Sequence, residues 1–213
     1  GGARSVPTNA PPELFSFPVW SPDGTKILIS HTFRLDAAGE CCLPFRPAVM
    51  NPDGTGFTLL RMRYAPFDAD CSAWTPDQTR ILCGFGGDEP GIFSVNASNG
   101  GDPIRLTTSP YGTNDQGAKE LPTGVSPDGR RFLFIRFKPG ASEHALQSAL
   151  FVERIDGSGL HQITPFGFIF PHDDQAWASW SPDGRTIIST TARGTLFTVA
   201  PDGSNLTIIH LGS

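Results

Sequence analysis

Six acidic side chains and one histidine are the residues of this chain whose grouping could support chemistry. The acids lie in three pairs between apolar segments, and the histidine directly precedes the third pair. In chain order the group is Asp68, Asp70, Asp115, Glu120, His172, Asp173 and Asp174. Converging carboxylates suit a hard cation such as Ca²⁺ or a basic segment of a partner protein. The same charges would also serve as solvated loop residues without a ligand.

Known motifs of catalysis and metal binding are absent from the sequence. It contains no Gly-x-Ser-x-Gly nucleophile elbow, no Asp-x-Asp-x-Asp-Gly calcium loop and no Cys-x-x-Cys zinc pair. The five histidines are scattered, and only His172 has carboxylates beside it. We therefore expect a non-enzymatic protein without catalytic residues and without a cofactor, with Ca²⁺ at the acidic group as the one metal to consider.

The four cysteines allow two interpretations. Cys71 and Cys83 lie six residues on either side of Asp77, so a hairpin at Asp77 would place them opposite each other. They could form a cross-strand disulfide or serve as two small buried apolar side chains. Cys41 and Cys42 are adjacent and have no predicted partner.

Composition limits both the fold and the partners. The 213 residues include 24 Gly and 20 Pro, which oppose long helices, and 16 Phe and 4 Trp, which can fill a core. The net charge of −5 and the lack of a Lys/Arg cluster argue against nucleic acid as a partner. No apolar run approaches the roughly 18 residues that a membrane span needs, so none is expected.

A five-residue motif recurs four times and organises the chain. Its Ser/Thr positions are 54, 51 and 55 residues apart, a period typical of propeller blades and solenoids. The four copies are Trp20-Ser21-Pro22-Asp23-Gly24, Trp74-Thr75-Pro76-Asp77-Gln78, Val125-Ser126-Pro127-Asp128-Gly129 and Trp180-Ser181-Pro182-Asp183-Gly184.

Each copy is predicted to be a tight turn between two antiparallel strands. The Ser/Thr hydroxyl can bond to the backbone two residues on, Pro presets φ, and Asp suits the third position. Gly then adopts the left-handed conformation that closes the turn. Gln78 stands where the other copies have Gly, and we expect it at positive φ at a cost of about 1 kcal/mol. An apolar run follows every copy and indicates strands covered on both faces.

Each repeat contains four predicted strands joined by turns, which is the layout of a propeller blade. The predicted fold class is all-β, a β-propeller of four four-stranded antiparallel blades. It forms either a small closed ring or part of a larger propeller of about six blades. We expect a loose N-terminal arm at residues 1–12 and the propeller at 13–213, with blades at about 13–65, 66–110, 111–167 and 168–213.

Details of the strands can also be predicted. The strands of the first unit are expected at residues 17–20, 26–31, 47–50 and 57–61, and the helix-like residues 142–149 are expected to form a loop turn. The repeated tryptophans are expected to pack between blades. The connections that carry the acidic pairs share one face of a propeller with the long loops between the second and third strands, so the pairs would converge there.

The repeat resembles the WD-repeat-like propeller repeat of the TolB family. The resemblance rests on Trp-Ser-Pro-Asp-Gly, the apolar strand after it, and the Asp-Gly-Ser-Gly-Leu and Ile-Thr elements within residues 156–164. It extends over about residues 13–211 and departs from the family at Gln78, at Val125 and in blade number, since TolB-type propellers usually have six blades. Similar repeats occur in tricorn-type and prolyl-oligopeptidase-type propellers.

The resemblance implies a scaffold that binds a protein or peptide through its loop face, in a periplasmic or extracellular setting. One alternative is the access or substrate-gating propeller of a prolyl-oligopeptidase-type or tricorn-type peptidase. Another is a metal-assisted lyase or hydrolase that uses His172 and the acidic residues. If blades are missing from the ring, exposed blade faces would favour self-association.

Overall fold

The computed structural model describes residues 13–33, 46–62, 69–85, 91–111, 120–139, 146–169 and 177–210. These residues form β-strands and no helix, so the predicted all-β class is confirmed; no segment among them is a helix that could cross a membrane. The predicted arm at residues 1–12 lies outside the described residues. In chain order the strands are β1 (Glu13–Trp20), β2 (Ile27–Phe33), β3 (Arg46–Met50), β4 (Thr58–Leu59), β5 (Ala69–Trp74), β6 (Arg80–Phe85), β7 (Gly91–Asn96), β8 (Ile104–Arg105), β9 (Glu120–Val125), β10 (Arg131–Pro139), β11 (Leu146–Arg154), β12 (His161–Gln162), β13 (Ala178–Trp180), β14 (Ile187–Thr190), β15 (Leu196–Val199) and β16 (Thr207–Ile208).

The strands form four antiparallel sheets, each a meander of four consecutive strands. Blade 1 contains β1–β4, blade 2 β5–β8, blade 3 β9–β12 and blade 4 β13–β16, as the repeat predicts. The fourth strand of every blade has two residues, fewer than the expected 57–61 in the first unit. The expectation of a loop turn at 142–149 is wrong for its second half. Residues 146–149 belong to β11, where they pair residue by residue with the end of β10.

The repeated motif forms the turn between the first two strands of each blade, held by its own side chains. In blade 1 the Ser21 hydroxyl donates to Asp23 Oδ1 (2.8 Å) and accepts from the Lys26 amide (2.9 Å). The same Asp23 oxygen accepts from the Thr25 amide (2.9 Å). The aspartate, rather than the predicted hydroxyl, therefore bonds to the backbone two residues on. The other three copies repeat this pattern.

These hydrogen bonds stabilise the charged form of the turn carboxylates. The backbone amide of Thr25, followed by the Ser21 hydroxyl, lowers the pKa of Asp23 from 3.8 to about 2. Hydroxyl and amide donors likewise lower the pKa values of Asp77, Asp128 and Asp183. The turns therefore keep their hydrogen-bond acceptors charged well into the acidic range.

Gln78 adopts the positive φ predicted for it, at 61°. Its side chain makes a contact that glycine could not make, because the amide nitrogen can donate to both carboxylate oxygens of Asp23 at 2.7 and 2.9 Å. Asp23 lies in the turn of blade 1 and Gln78 in the turn of blade 2. A hydrogen bond between neighbouring blades thus offsets the backbone strain.

Alternate residues of each second strand pack against different neighbouring blades. In β6, Ile81 and Cys83 pack on blade 1, while Leu82 packs on blade 3. In β10, Phe132 and Phe134 pack on blade 2, and Leu133 packs on blade 4. All of these side chains have 0% exposure. The continuous apolar runs of the sequence are therefore strands with both faces buried, as predicted.

The four blades form an open series in the described structure. The described strands of blades 1 and 2, 2 and 3, and 3 and 4 contact each other, but those of blade 1 do not contact those of blade 4. The second residue of the apolar run after each turn shows how this affects burial. Leu28, Leu82 and Leu133 are fully buried against the following blade, whereas the equivalent Ile188 is 39% exposed. The described strands thus form an open series rather than a closed four-bladed ring.

The burial of the repeated tryptophans also depends on a neighbouring blade, in this case the preceding one. Trp74 is buried, and its indole Nε1 donates to the Val19 carbonyl of blade 1 (3.3 Å). Trp180 is half-buried on blade 3, where the Arg131 guanidinium lies 5.1 Å from the ring centroid. No described strand covers Trp20, which is 58% exposed. Packing between blades therefore holds for Trp74 and Trp180 and is wrong for Trp20.

Because the series is open, truncating the side chain at equivalent positions should lower the free energy of unfolding by different amounts. Leu82→Ala leaves a cavity between blades 2 and 3, so it should lower the free energy of unfolding by about 2–5 kcal/mol. Ile188→Ala removes a side chain that is already partly in water and should cost less than about 1 kcal/mol. Urea unfolding followed by tryptophan fluorescence measures both. Equal losses would contradict an uncovered face on blade 4.

Candidate functional site

The propeller has two distinct ends. The turn face carries the four repeated turns and the turns between the third and fourth strands. The loop face, at the opposite end, carries the connections between second and third strands and those between blades. Most loop-face connections, including residues 34–45, 86–90, 112–119 and 170–176, lie outside the described residues. Long connections are thus concentrated on one end of a scaffold whose other end has short turns.

Five of the seven residues of the predicted acidic site also lie outside the described residues. They are Asp68, Asp115, His172, Asp173 and Asp174. Asp70 is the second residue of β5 and is half-buried near the loop face. Glu120 begins β9 and has 0% exposure. The expectation of a solvated loop carboxylate does not hold for Glu120, because it belongs to a strand and is covered by blade 2.

Glu120 fastens blade 3 to blade 2. Its two carboxylate oxygens accept from different blades, Oε1 from Arg136 Nε and Oε2 from the Thr107 hydroxyl. Thr107 Oγ1 in turn accepts from the Ile92 amide (2.8 Å). The Arg136 guanidinium stacks over the Phe151 ring, 4.6 Å from its centroid. Both oxygens of Glu120 are therefore engaged, and its role is to join blades rather than to hold a ligand.

The backbones of blades 2 and 3 approach closely beside this ion pair. A Cβ atom on Gly84 would lie 2.0 Å from the Glu120 carbonyl oxygen, so only glycine fits there. The Ser72 hydroxyl of β5 donates to the Pro122 carbonyl of β9. The boundary between blades 2 and 3 is thus fixed by polar as well as apolar contacts, which makes it a rigid support for the loop face above it.

Glu153 is a second buried carboxyl that the sequence analysis missed. It is 5% exposed, and its Oε2 has no hydrogen-bond partner among the described residues. Burial, followed by the nearby charge of Glu120, raises its pKa from 4.5 to about 7, although Arg136 partly opposes the shift. A charged residue directly after the apolar run Leu150–Val152 was the available signal. Glu153 therefore changes charge close to neutral pH.

Three half-buried side chains form the described surface of the loop face between blades 2 and 3. We call Tyr111, Lys138 and Phe166 the loop-face patch. Lys138 Nζ lies 4.3 Å from the Phe166 ring centroid, and the Tyr111 and Phe166 rings meet edge to face at 5.9 Å. Aromatic rings with an adjacent cation suit a partner that offers apolar groups and carboxylates. This described surface is cationic and aromatic, unlike the predicted acidic site.

Cys71 and Cys83 are opposite each other on β5 and β6 and are joined by a disulfide. Their side chains are 2% and 0% exposed and face blade 1. The two interpretations of this pair therefore coincide, because the bond lies within the apolar core. Cys41 and Cys42 are outside the described residues. Across the described ranges, no three His, Cys, Asp or Glu side chains are grouped in a way that could hold a metal ion.

No protein-family model matches the chain. Among solved structures, a TolB-type protein of Agrobacterium tumefaciens superimposes with a TM-score of 0.65 at 20% sequence identity. The alignment covers 94% of this chain and 63% of that chain. The fold is a TolB-like β-propeller. TolB of Acinetobacter baumannii gives a TM-score of 0.44 at 16% identity, covering 90% of this chain and 52% of that chain.

A similar share of a curated relative is covered by its alignment with this chain. The "Uncharacterized protein Atu1656" of Agrobacterium fabrum is 25% identical, with an alignment covering 83% of this chain and 66% of that protein. The TolB-like chain thus spans 63% and 66% of the first two proteins that it matches. The agreement with the TolB structure concerns the fold.

The buried Glu153 predicts a pH dependence of stability. Its folded pKa of about 7 lies above the ordinary 4.5, so the stability of the protonated form is fully present below pH 4.5 and is lost as pH rises through 7. Glu153→Gln keeps the shape and cannot ionise. We expect the free energy of unfolding of the variant, relative to that of the wild type, to increase between pH 5 and pH 8 by at most about 3 kcal/mol. Parallel pH profiles in urea unfolding would contradict this assignment.

Proposed function

We propose that this TolB-like chain is a non-enzymatic scaffold that binds a protein or peptide through its loop face. The loop-face patch carries the proposal, because it presents two aromatic rings and an ammonium group on the rigid boundary between blades 2 and 3. Rigid scaffolds that carry long connections at one end commonly bind their partners there. The resemblance to TolB implies a bacterial periplasmic setting, which we adopt as part of the proposal.

The chemistry of the patch limits the class of partner. Tyr111 and Phe166 offer apolar area that costs little conformational entropy to order, as aromatic residues at interfaces do. Lys138 adds a donor that can meet a carboxylate at the rim of such a contact. The predicted acidic residues in the adjoining loops would add contacts to basic groups of the same partner. An extended peptide segment with aromatic or aliphatic side chains and mixed charge fits this surface.

Selection from a random-peptide display library tests the proposal without a known partner. We expect enriched peptides to share a motif and to bind the wild-type chain in fluorescence anisotropy. Combining Tyr111→Ser with Lys138→Glu should weaken their binding at least about tenfold, which corresponds to about 1.4 kcal/mol. The two side chains are only half-buried, so the double variant should fold.

The matched control is Arg185→Glu, which makes the same change of charge on the turn face. Arg185 is exposed, and its hydrogen bond in the repeated turn comes from its backbone amide. Peptides should bind this control as they bind the wild type. Equal binding by the loop-face double variant, or a failure to enrich any peptide, would count against the proposal. Self-association through exposed blade faces, expected if blades are missing from the ring, stays a separate prediction.

A further inference from the structure

Two arginines face each other at the turn-face end of blade 3. Arg131 begins β10 and Arg154 ends β11, and the two are direct partners in the antiparallel ladder. Leu133 and Val152, two residues along each strand, pack against blade 4, so both arginines lie on the side that faces blade 4. Like charges directly opposite each other destabilise a sheet. The Trp180 ring, whose centroid is 5.1 Å from the Arg131 guanidinium, offsets part of this repulsion.

The equivalent pairs in the other blades are compensated. In blade 1, Lys26 Nζ donates to Asn51 Oδ1 at 2.7 Å. In blade 2, Arg80 forms an ion pair with Asp102 at 3.0 Å. Blade 4 has the neutral residues Thr186 and Ala200 at these positions. Within the part of the chain that the structure describes, neither the Arg131 nor the Arg154 guanidinium forms a hydrogen bond or an ion pair.

The two arginines line a cavity between blades 3 and 4 with a volume of about 210 Å³. We call it the arginine pocket. His161 of blade 3 and the turn at Pro201 and Asp202 of blade 4 form its other walls. His161 Nε2 lies 2.9 Å from the Asp202 carbonyl oxygen and so donates to it, since a carbonyl can only accept. This bond ties the two walls together across the blade boundary.

Among the described residues, the carboxylates near the arginine pocket form no ion pair with either arginine. Asp202 Oδ1 accepts from the amide and hydroxyl of Ser204, at 2.9 and 2.6 Å, which holds this carboxylate within its own turn. Asp156, close to Arg154 in sequence, accepts from Ser158 in the same way, and the nearby charge of Arg154 contributes to its lowered pKa. Glu153 also lines the cavity, but it lies opposite Phe132, which packs on blade 2, so its side chain is on the other side of the sheet from the two arginines.

We propose that the arginine pocket binds a small free oxyanion, a phosphate or a dicarboxylate, between Arg131 and Arg154. Guanidinium groups bind such anions through parallel N–H donors, and two of them converging from adjacent strands can hold one anion from two sides. The cavity is smaller than the roughly 300–1,000 Å³ of typical drug-sized ligand sites, which favours a small ion. The pocket lies on the turn face and is independent of the proposed peptide site.

Isothermal titration of the whole chain with inorganic phosphate, and separately with succinate, tests this site. Both titrations are run in a chloride buffer of matched ionic strength. We expect saturable binding of at least one of the two anions, and the tighter binder identifies the class. Arg131→Gln and Arg154→Gln should each weaken it about tenfold or more, because each removes one of the two charged forks. Arg154→Lys should restore part of the affinity.

Arg185→Gln is the matched control, since it removes an exposed arginine from the same face without touching the pocket. Its affinity should equal that of the wild type. The net charge of −5 opposes general attraction of anions, so binding has to come from the local pair. Without anion, Arg154→Gln should melt at the same temperature as the wild type or higher, because it removes a like-charge contact. Absence of saturable binding of both anions, or equal loss in Arg185→Gln, would overturn the proposal.

Discussion

Packing of each blade's apolar face against the next is the interaction on which the rest of this structure depends. A four-stranded sheet whose second strand is apolar at consecutive positions, such as Phe132–Ile135, cannot leave either face in water. Its neighbours must cover both faces, and the alternation of side chains decides which residue meets which neighbour. The repeated Ser-Pro-Asp-Gly turns join the first two strands of each blade, but their aspartates are exposed at the surface. The apolar boundaries supply most of the stabilisation.

Polar contacts at the boundaries fix the position of one blade relative to the next. Glu120, Arg136 and Thr107 lie between blades 2 and 3, and the Gln78 side chain reaches Asp23 between blades 1 and 2. The Thr107–Glu120 and Gln78–Asp23 hydrogen bonds each join two blades, so each limits how the blades can slide past each other. The loop-face patch lies directly on the boundary that Glu120 fastens, while the arginine pocket lies on the next boundary at the other end. The two proposed sites thus use different boundaries and opposite faces of one scaffold.

The repeat allowed the fold to be predicted closely, because both the turn motif and the apolar runs are local in sequence. Blade number, strand order, the positive φ of Gln78 and the pairing of Cys71 with Cys83 across one hairpin follow from short-range spacing. The candidate sites did not follow. Glu120 resembles any loop acid in the sequence, and its burial depends on Arg136, 16 residues away, and on blade 2. Arg131 lies opposite Arg154 because of the register between β10 and β11, and the loop that joins these strands does not reveal that register in the sequence. The exposure of Trp20 and Ile188 depends on which blades are neighbours, which no single repeat encodes.

Hydrogen exchange of the native protein, resolved by mass spectrometry, tests the central claim that coverage on both faces sets the stability of each blade. The account predicts the slowest exchange in β6 and β10, whose side chains pack on two neighbours. It predicts faster exchange in β14, one face of which is uncovered at Ile188, because opening that strand breaks contacts on one side only. Protection factors in β14 at least about tenfold lower than in β6 and β10 would support the claim. Equal protection in all three strands would contradict it, since stability would then come from each sheet by itself rather than from the packing of neighbouring blades.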